Sequence, residues 1–313
     1  MSMQAARNKQ EGFGLLAMVT AILAVAVAFV IGYETTLAQK VKNNAYVAKM
    51  AYLQQVESGI QDFYAQHAFA LDQAGMGNPY TAQDLLSHSG EPSRYEVQAA
   101  LSNVLQDPSG VAYRVLVLYT PSDTDSVNPP DLSRFSTQGV FSSCQSVASP
   151  CAQRAYVVFS SLELERKLTR GTEKRLDDIA AKAQVYFADR RQLDPEKDIT
   201  RNYFNSPYGS CNGSPLDLGC FDSFDSGSGS NALATQNTDG SWSLTATAKN
   251  FGASLYDVLD AWGNPIQVSN NTADIDTFLG KSLTSPQSPP FMMLFRAYTP
   301  GGAYLQKAAI EPL

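Results

Sequence analysis

The chain has 313 residues, a net charge of −7 at neutral pH and only 17% charged residues. Because phosphate backbones attract basic surfaces, we expect the soluble part of this acidic chain to bind no nucleic acid. The length allows one large domain or two smaller ones.

The most apolar stretch spans residues 13–31, and its 19 residues include no charged side chain. A helix of this length covers about 28 Å, close to the hydrocarbon thickness of a bilayer. A polar leader of residues 1–12 precedes the stretch, and no A-x-A cleavage site follows it, unlike in an ordinary secretory signal. We therefore predict a transmembrane helix that remains part of the protein.

The helical pattern continues beyond Gly32. Apolar residues recur there at spacings of three and four, which is the period of an amphipathic helix. They are Leu37, Val41, Ala45, Ala48, Tyr52, Val56, Ile60 and Phe63. This spacing predicts one continuous rod to about residue 71, which Gly59 loosens locally. The glycine- and proline-rich residues 74–79 end the rod.

The next elements are shorter. Ser93 and Glu96 form a capping-box pattern, which predicts a helix over residues 97–106. Residues 111–120 and 154–160 are rich in β-branched and aromatic side chains and are predicted strands. The Pro-, Ser- and Asp-rich residues 121–153 are a predicted surface loop.

A second helical stripe predicts a helix over residues 172–193. A long loop follows at residues 205–240. Strands are predicted at residues 242–248, 265–269 and 291–299.

The order of helix then strand therefore occurs twice along the chain. Together the elements predict an α+β fold, in which a long N-terminal helix packs on an antiparallel sheet. Two tandem α+β halves, residues 32–168 and 169–313, are one interpretation of the repeat. A single α+β domain with a long insertion is the other.

Four cysteines stand in two short, turn-rich loops. Cys144 and Cys151 flank the first loop, and Cys211 and Cys220 flank the second. An even number in such loops predicts two disulfides formed in an oxidising compartment, although the pairing stays open. Zinc is the alternative, but the spacing is not C-x2-C and no histidine lies near either pair.

The N-terminal segment resembles a class III signal peptide, in which a polar leader, Gly12 and Phe13 precede a hydrophobic run. Such signals belong to type IV pilins and to the pseudopilins of type II secretion. The resemblance implies that a prepilin peptidase removes residues 1–12 and methylates Phe13. It also implies that residues 13–31 anchor the subunit in the bacterial inner membrane and later pack against other subunits in a filament.

One position departs from the family pattern. Ala17 stands where most family members carry a glutamate, which is thought to pair with the N-terminal ammonium of a neighbouring subunit. A buried charge needs such a partner. A subunit at the filament tip has no earlier neighbour to neutralise, and the large tip pseudopilin shows the same loss. The departure therefore implies a role at the tip or in initiation.

A second resemblance lies in the C-terminal half. The residues Asp260-Ala261-Trp262-Gly263-Asn264-Pro265 resemble the D-P-W-G-N-P turn of major pseudopilins, with Ala261 in place of the first proline. In those relatives the turn is structural and lies beside a calcium-binding loop. Gly, Asn and Pro favour a turn, and the tryptophan can bury its ring.

The same resemblance raises calcium as a cofactor. Oxygen atoms for such a site could come from Asn271, Asp274 and Asp276, or from Asp222 and Asp225. Calcium takes six to eight oxygen ligands, and neither group forms an EF-hand loop. Solvated loop acids are the other interpretation, so the sequence implies no required cofactor.

No catalytic motif stands out. The two histidines, His67 and His88, lie in no metal-binding pattern, and there is no nucleophile elbow, phosphate loop or dinucleotide fingerprint. We therefore expect a protein that is not an enzyme.

The resemblance implies a minor pilin or pseudopilin, with a cytoplasmic N-terminus, a periplasmic head, and other subunits of the filament as partners. The head of such a subunit would contact neighbouring subunits, exported cargo or a surface. One alternative is a pilus-tip adhesin that binds a surface receptor. The other is an uncleaved periplasmic scaffold that keeps its membrane anchor.

Overall fold

The structure is a computed structural model. It describes residues 3–73, 80–90, 94–121, 130–141, 154–204, 223–224, 231–281 and 289–312, with side chains from residue 18 onward.

The helices within these ranges differ greatly in length. They are α1 (Met3–Asp72), α2 (Ala82–Ser87), α3 (Leu132–Gln138), α4 (Leu162–Leu193), α5 (Ala246–Asn250), α6 (Leu255–Val258) and α7 (Thr272–Leu279). The strands are β1 (Gln98–Leu101), β2 (Leu105–Gln106), β3 (Ala112–Tyr113), β4 (Val115–Tyr119), β5 (Tyr156–Ser160), β6 (Ala234–Gln236), β7 (Trp242–Leu244), β8 (Gln267–Ser269), β9 (Met292–Tyr298) and β10 (Tyr304–Ile310).

The predicted N-terminal rod is confirmed as α1, a single helix of 70 residues. At a rise of 1.5 Å per residue it is about 105 Å long. The helix runs through Gly59 without a break, and the local loosening there stays a prediction. A Cβ atom at Gly59 would lie 2.0 Å from the carbonyl oxygen of Ser89. Gly59 is therefore the point where the end of α2 touches α1.

The first hydrophobic core lies between α1 and a three-stranded antiparallel sheet with the order β1-β4-β5. Strand β4 is buried along its whole length because both of its faces are covered. Leu116 and Leu118 face α1, while Val117 packs with Phe135 of α3 on the opposite face. This two-sided burial explains why β4 is almost entirely aliphatic.

The second hydrophobic core repeats this arrangement with α4 on a sheet of order β10-β9-β8, again antiparallel. The apolar stripe of α4 includes Leu176, Ile179 and Phe187, which are fully buried. Met293 and Phe295 of β9 pack in the same core. The predicted α+β class, with a long N-terminal helix packed on an antiparallel sheet, is confirmed.

A single helix, α4, joins the two halves. Leu164 and Leu168, in its first two turns, pack on the first core, whereas Leu176 belongs to the second. The boundary predicted between residues 168 and 169 therefore falls within a continuous helix.

Three predicted elements are wrong in type or extent. Residues 98–101 form β1 and not a helix, because Ala99 and Ala100 pair with β4 and tertiary pairing overrides their helix propensity. The second helix begins at Leu162, ten residues before its predicted start. Gly171 is an interior residue of α4 that lets the helix approach Ala261, to which a Cβ would come within 3.2 Å.

The third error concerns the strand predicted at residues 242–248, which ends at Leu244. Thr245 then caps α5 by accepting a hydrogen bond from the amide of Ala248. The residues predicted as loops at 121–153 and 205–240 include α3, whose Phe135 is buried, and β6, so these two predictions are wrong there. Helices α2, α5, α6 and α7 and strand β10 were also not predicted.

We predict that Gly59→Ala destabilises the head. Alanine favours a helix over glycine by about 1 kcal/mol. Overpacking against the backbone of Ser89 should exceed this gain and lower the free energy of unfolding by about 1–3 kcal/mol. Chemical unfolding of the detergent-solubilised chain, followed by fluorescence, measures the change. Gly32→Ala is the matched control because no atom lies within 4 Å of its added Cβ; equal stability of both variants would contradict the prediction.

Candidate assembly helix and its junction with the head

The first half of α1 is an exposed apolar surface. Every residue from 18 to 48 is exposed, and the large apolar side chains among residues 18–31 are each at least 50% exposed. A continuous apolar surface of this size marks a membrane or protein contact. The helix is long and apolar enough to cross a membrane, by its length and composition.

A stem separates this apolar segment from the head. Tyr33, Leu37 and Val41 repeat at intervals of four, and Lys40 and Lys42 lie between or beside them. All of these side chains are exposed. The helix first enters the head near Tyr52, which is 7% exposed. The stem of residues 32–48 therefore holds the head about 25 Å from the apolar segment.

The residues that carry the resemblance to a class III signal peptide belong to α1. Gly12, Phe13 and Ala17 are helical, and their side chains fall outside the described part of the structure. The cysteine loops also lie outside it, so the predicted disulfides of Cys144, Cys151, Cys211 and Cys220 stay predictions.

Asp72, the last residue of α1, is fully buried at the junction with α4. Its carboxylate accepts hydrogen bonds from the hydroxyl of Tyr64 and from Oγ of Ser161, the latter at 2.9 Å. Ser161 is the N-cap residue of α4, yet its hydroxyl donates to Asp72 and makes no cap hydrogen bond. It also accepts from the amide of Arg114 at 3.0 Å. The end of α1 is thereby tied to the start of α4 and to the residue before β4.

Glu165, one turn into α4, is also fully buried. Its Oε2 accepts a hydrogen bond from Nε1 of Trp262 at 2.9 Å. The Trp262 ring meets Phe69 of α1 edge-to-face, with centroids 6.2 Å apart. Burial raises the pKa of Glu165, and the negative charge of Asp72 raises it further.

The structure places Asp260–Pro265 in a turn that docks along α4. Oδ1 of Asp260 accepts from the amides of Trp262 and Asn264, at 2.9 and 2.8 Å. Gly263 has a φ of 90°, a conformation that favours glycine. Burial raises the pKa of Asp260 to about 6, although these two amide hydrogen bonds oppose the shift.

Two side chains of α4 hold the turn from outside. Oγ1 of Thr172 accepts from the amide of Ala261 at 3.0 Å. Arg175 donates to the carbonyls of Leu259 and Asp260, at 2.9 and 2.6 Å. The turn therefore attaches the C-terminal half to the helix that both halves share.

The calcium candidates have structural contacts of their own. Asn271 caps α7 by accepting from the amide of Ala273 at 2.9 Å. Asp274 accepts from Oγ of Ser223 and from the amide of Phe224, both at 2.9 Å. Among the residues that the structure describes, no three acidic, histidine or cysteine side chains, Asp276 included, converge as metal ligands. Asp222 and Asp225 lie outside those residues.

Sequence reasoning selected the turn but missed the buried carboxyl groups it meets. Asp72 stands just before the predicted break of the rod, and Glu165 precedes the predicted start of the second helix. Nothing in the local pattern distinguishes either from a solvated acid. The two acids are 93 residues apart in the sequence, and only the fold brings them to the same junction.

Comparison with known proteins identifies no relative: no family model, no curated protein and no solved structure matches the chain.

We predict that Trp262→Phe lowers the free energy of unfolding more than Trp242→Phe does. The first change keeps an aromatic ring but removes the N–H that serves buried Glu165, which should cost about 1–3 kcal/mol. The second changes a half-buried ring in β7. Chemical unfolding of both variants, followed by circular dichroism, compares them. A smaller loss for Trp262→Phe would show that the hydrogen bond to Glu165 does not hold the junction.

Proposed function

We propose that the protein is a membrane-anchored subunit of a type IV pilus or type II secretion filament, and that it acts at the tip or in initiation. One observation carries the proposal. A single helix contains the Gly12-Phe13 pair, is apolar and exposed over residues 18–31, and becomes a core helix of an α+β head from Tyr52 onward.

The same helical surface can serve membrane and filament in turn. A helix satisfies its own backbone hydrogen bonds, so it can enter lipid without unpaired amides. Lipid tails and the apolar faces of neighbouring helices both cover aliphatic side chains, and small residues allow close helix approach. Ala24, Ala26 and Ala28 supply such small residues within the span. In this proposal the subunit is stored in the inner membrane, N-terminus cytoplasmic, and then moves into the filament.

The head supplies the contacts that distinguish this subunit. It lies beyond an extended stem, so it can cover the filament end or reach a partner without steric conflict with the membrane. The junction at Asp72 ties the assembly helix to both cores through α4. The proposed partners are neighbouring subunits, the prepilin peptidase, and cargo or a surface receptor met by the head.

We predict that the mature protein begins at an N-methylated Phe13 when a prepilin peptidase is active. Gly12→Val should leave the leader attached, because a bulky side chain then occupies the residue before the scissile bond. Gly14→Ala, two residues away, is the matched control and should be processed. Intact mass and N-terminal sequencing give the result. A wild-type protein that still begins at Met1 or Ser2 beside an active peptidase would favour the uncleaved scaffold.

We predict that Ala17→Glu changes filament assembly and leaves the head folded. A carboxylate in the apolar assembly surface needs a cationic partner from a neighbouring subunit, and a tip position provides none in front of it. Ala17→Gln is the control of equal size without the charge. Filament number and length, counted by electron microscopy, are the readout. Identical assembly of the two variants and of wild type would remove the positional role of Ala17.

The adhesin alternative separates from this proposal by the phenotype of a deletion. Loss of filaments supports initiation. Filaments that persist while attachment to a surface is lost support the adhesin.

A further inference from the structure

The buried carboxyl groups of Asp72 and Glu165 both lie at the junction of α1 and α4, where Oγ of Ser161 donates to Asp72 at 2.9 Å and the amide of Glu165 donates to the carbonyl of Ser161 at 2.9 Å. We propose that these two carboxyl groups share one proton and that the shared proton holds α1 against α4. Loss of the proton then loosens the junction between the two halves of the head. This proposal concerns the head alone and does not depend on the function proposed above.

The hydrogen-bond donors around the two carboxyl groups leave one carboxyl oxygen without a donor. Tyr64 and Ser161 each donate to one oxygen of Asp72. Trp262 donates to Oε2 of Glu165. The remaining oxygen, Oε1 of Glu165, is buried and no other group of the described chain donates to it. A proton on Oε1 would complete the set by donating to Asp72, because buried polar atoms are rarely left unpaired.

The surrounding charges decide which carboxyl carries the proton. Asp72 receives two hydroxyl donors, and the guanidinium of Arg114 favours its charged form. Asp72 also faces the N-terminus of α4, whose dipole stabilises a negative charge. Glu165 receives only the indole N–H of Trp262. The geometry therefore assigns the negative charge to Asp72 and the proton to Glu165.

The other charged groups near the junction are directed elsewhere. Arg166 pairs with Asp107 at 2.9 Å and with Glu163 at 2.8 Å. Arg175 donates to backbone carbonyls of the turn. Asp260 accepts from amides of its own turn. No cation other than Arg114 is therefore directed at the pair within the described residues, and a second negative charge there would lack compensation.

Loss of the proton has a direct consequence. The hydrogen bond between the carboxyl groups becomes a contact between two negative charges inside an apolar junction, which is strongly unfavourable. Since burial and the charge of Asp72 raise the pKa of Glu165 in the folded state, the native protein binds more protons than the unfolded chain. Stability should then fall as the pH rises from the pKa of an unfolded glutamate toward that of folded Glu165.

The test is the pH dependence of unfolding between about pH 6.5 and 9, a window in which Asp260 is largely ionised. For one proton the unfolding equilibrium constant rises by up to tenfold per pH unit. We expect this slope in the full-length, detergent-solubilised wild type. Glu165→Gln should remove it, since the amide N–H donates to Asp72 in place of the proton. Glu163→Gln is the matched control, because Glu163 lies on the same helix with its side chain 78% exposed, and it should keep the slope.

A local readout distinguishes loosening of the junction from general instability. In a Trp242→Phe background Trp262 is the remaining tryptophan. Its emission should shift to the red, and acrylamide quenching should increase, as the pH rises and water enters the junction. The Glu165→Gln variant should show neither change. Equal slopes and equal emission in Glu165→Gln and wild type would overturn the proposal.

If Glu165→Gln does not fold, an infrared measurement on the wild-type protein tests the shared proton. Wild-type protein carrying ¹³C-carboxyl glutamate should show the band of a protonated glutamic acid at about pH 7.5, where a free glutamate is ionised. Presence of the band supports the shared proton. Its absence would overturn the proposal without any variant.

Discussion

The head depends on α4, because one continuous helix takes part in two hydrophobic cores. Its first two turns complete the core under β4, and its last five complete the core under β9. A helix resists bending, since each turn is held to the next by backbone hydrogen bonds. The two halves therefore cannot change their relative orientation freely while α4 is intact. What can change is how α1 and the turn at Asp260 attach to that helix.

The long helix α1 meets two different environments with one backbone. Over residues 18–31 every face is exposed, and the composition is almost entirely apolar all round. From Tyr52 onward only one face is buried, and polar residues occupy the rest. The exposed stem between these parts carries both apolar residues and lysines. In the function proposed above, this division separates the apolar part, which exchanges lipid for other subunits, from the head.

The sequence predicts the parts of this structure that have a periodic signal. The rod, the strand β4 and the turn at Asp260–Pro265 each follow from spacing or turn chemistry, and all three are present. The prediction failed where a contact distant in sequence decides the local structure. Ala99 and Ala100 favour a helix but pair with β4, and α4 begins ten residues before its predicted start at Thr172. Asp72 and Glu165 could not be recognised for the same reason, since 93 residues separate them.

The apolar segment and the head end of α1 differ in the acids they carry. Ala17, in the apolar segment, stands where the pilins and pseudopilins that this segment resembles mostly carry a glutamate. At the head, Asp72 places an acid at a helix C-terminus, where the helix dipole opposes it. The fold compensates with Tyr64, Ser161, Arg114 and the N-terminus of α4. A second buried acid, Glu165, can be accommodated beside it if only one of the two is ionised. The cost of a buried charge therefore explains why the head end of the helix requires a shared proton.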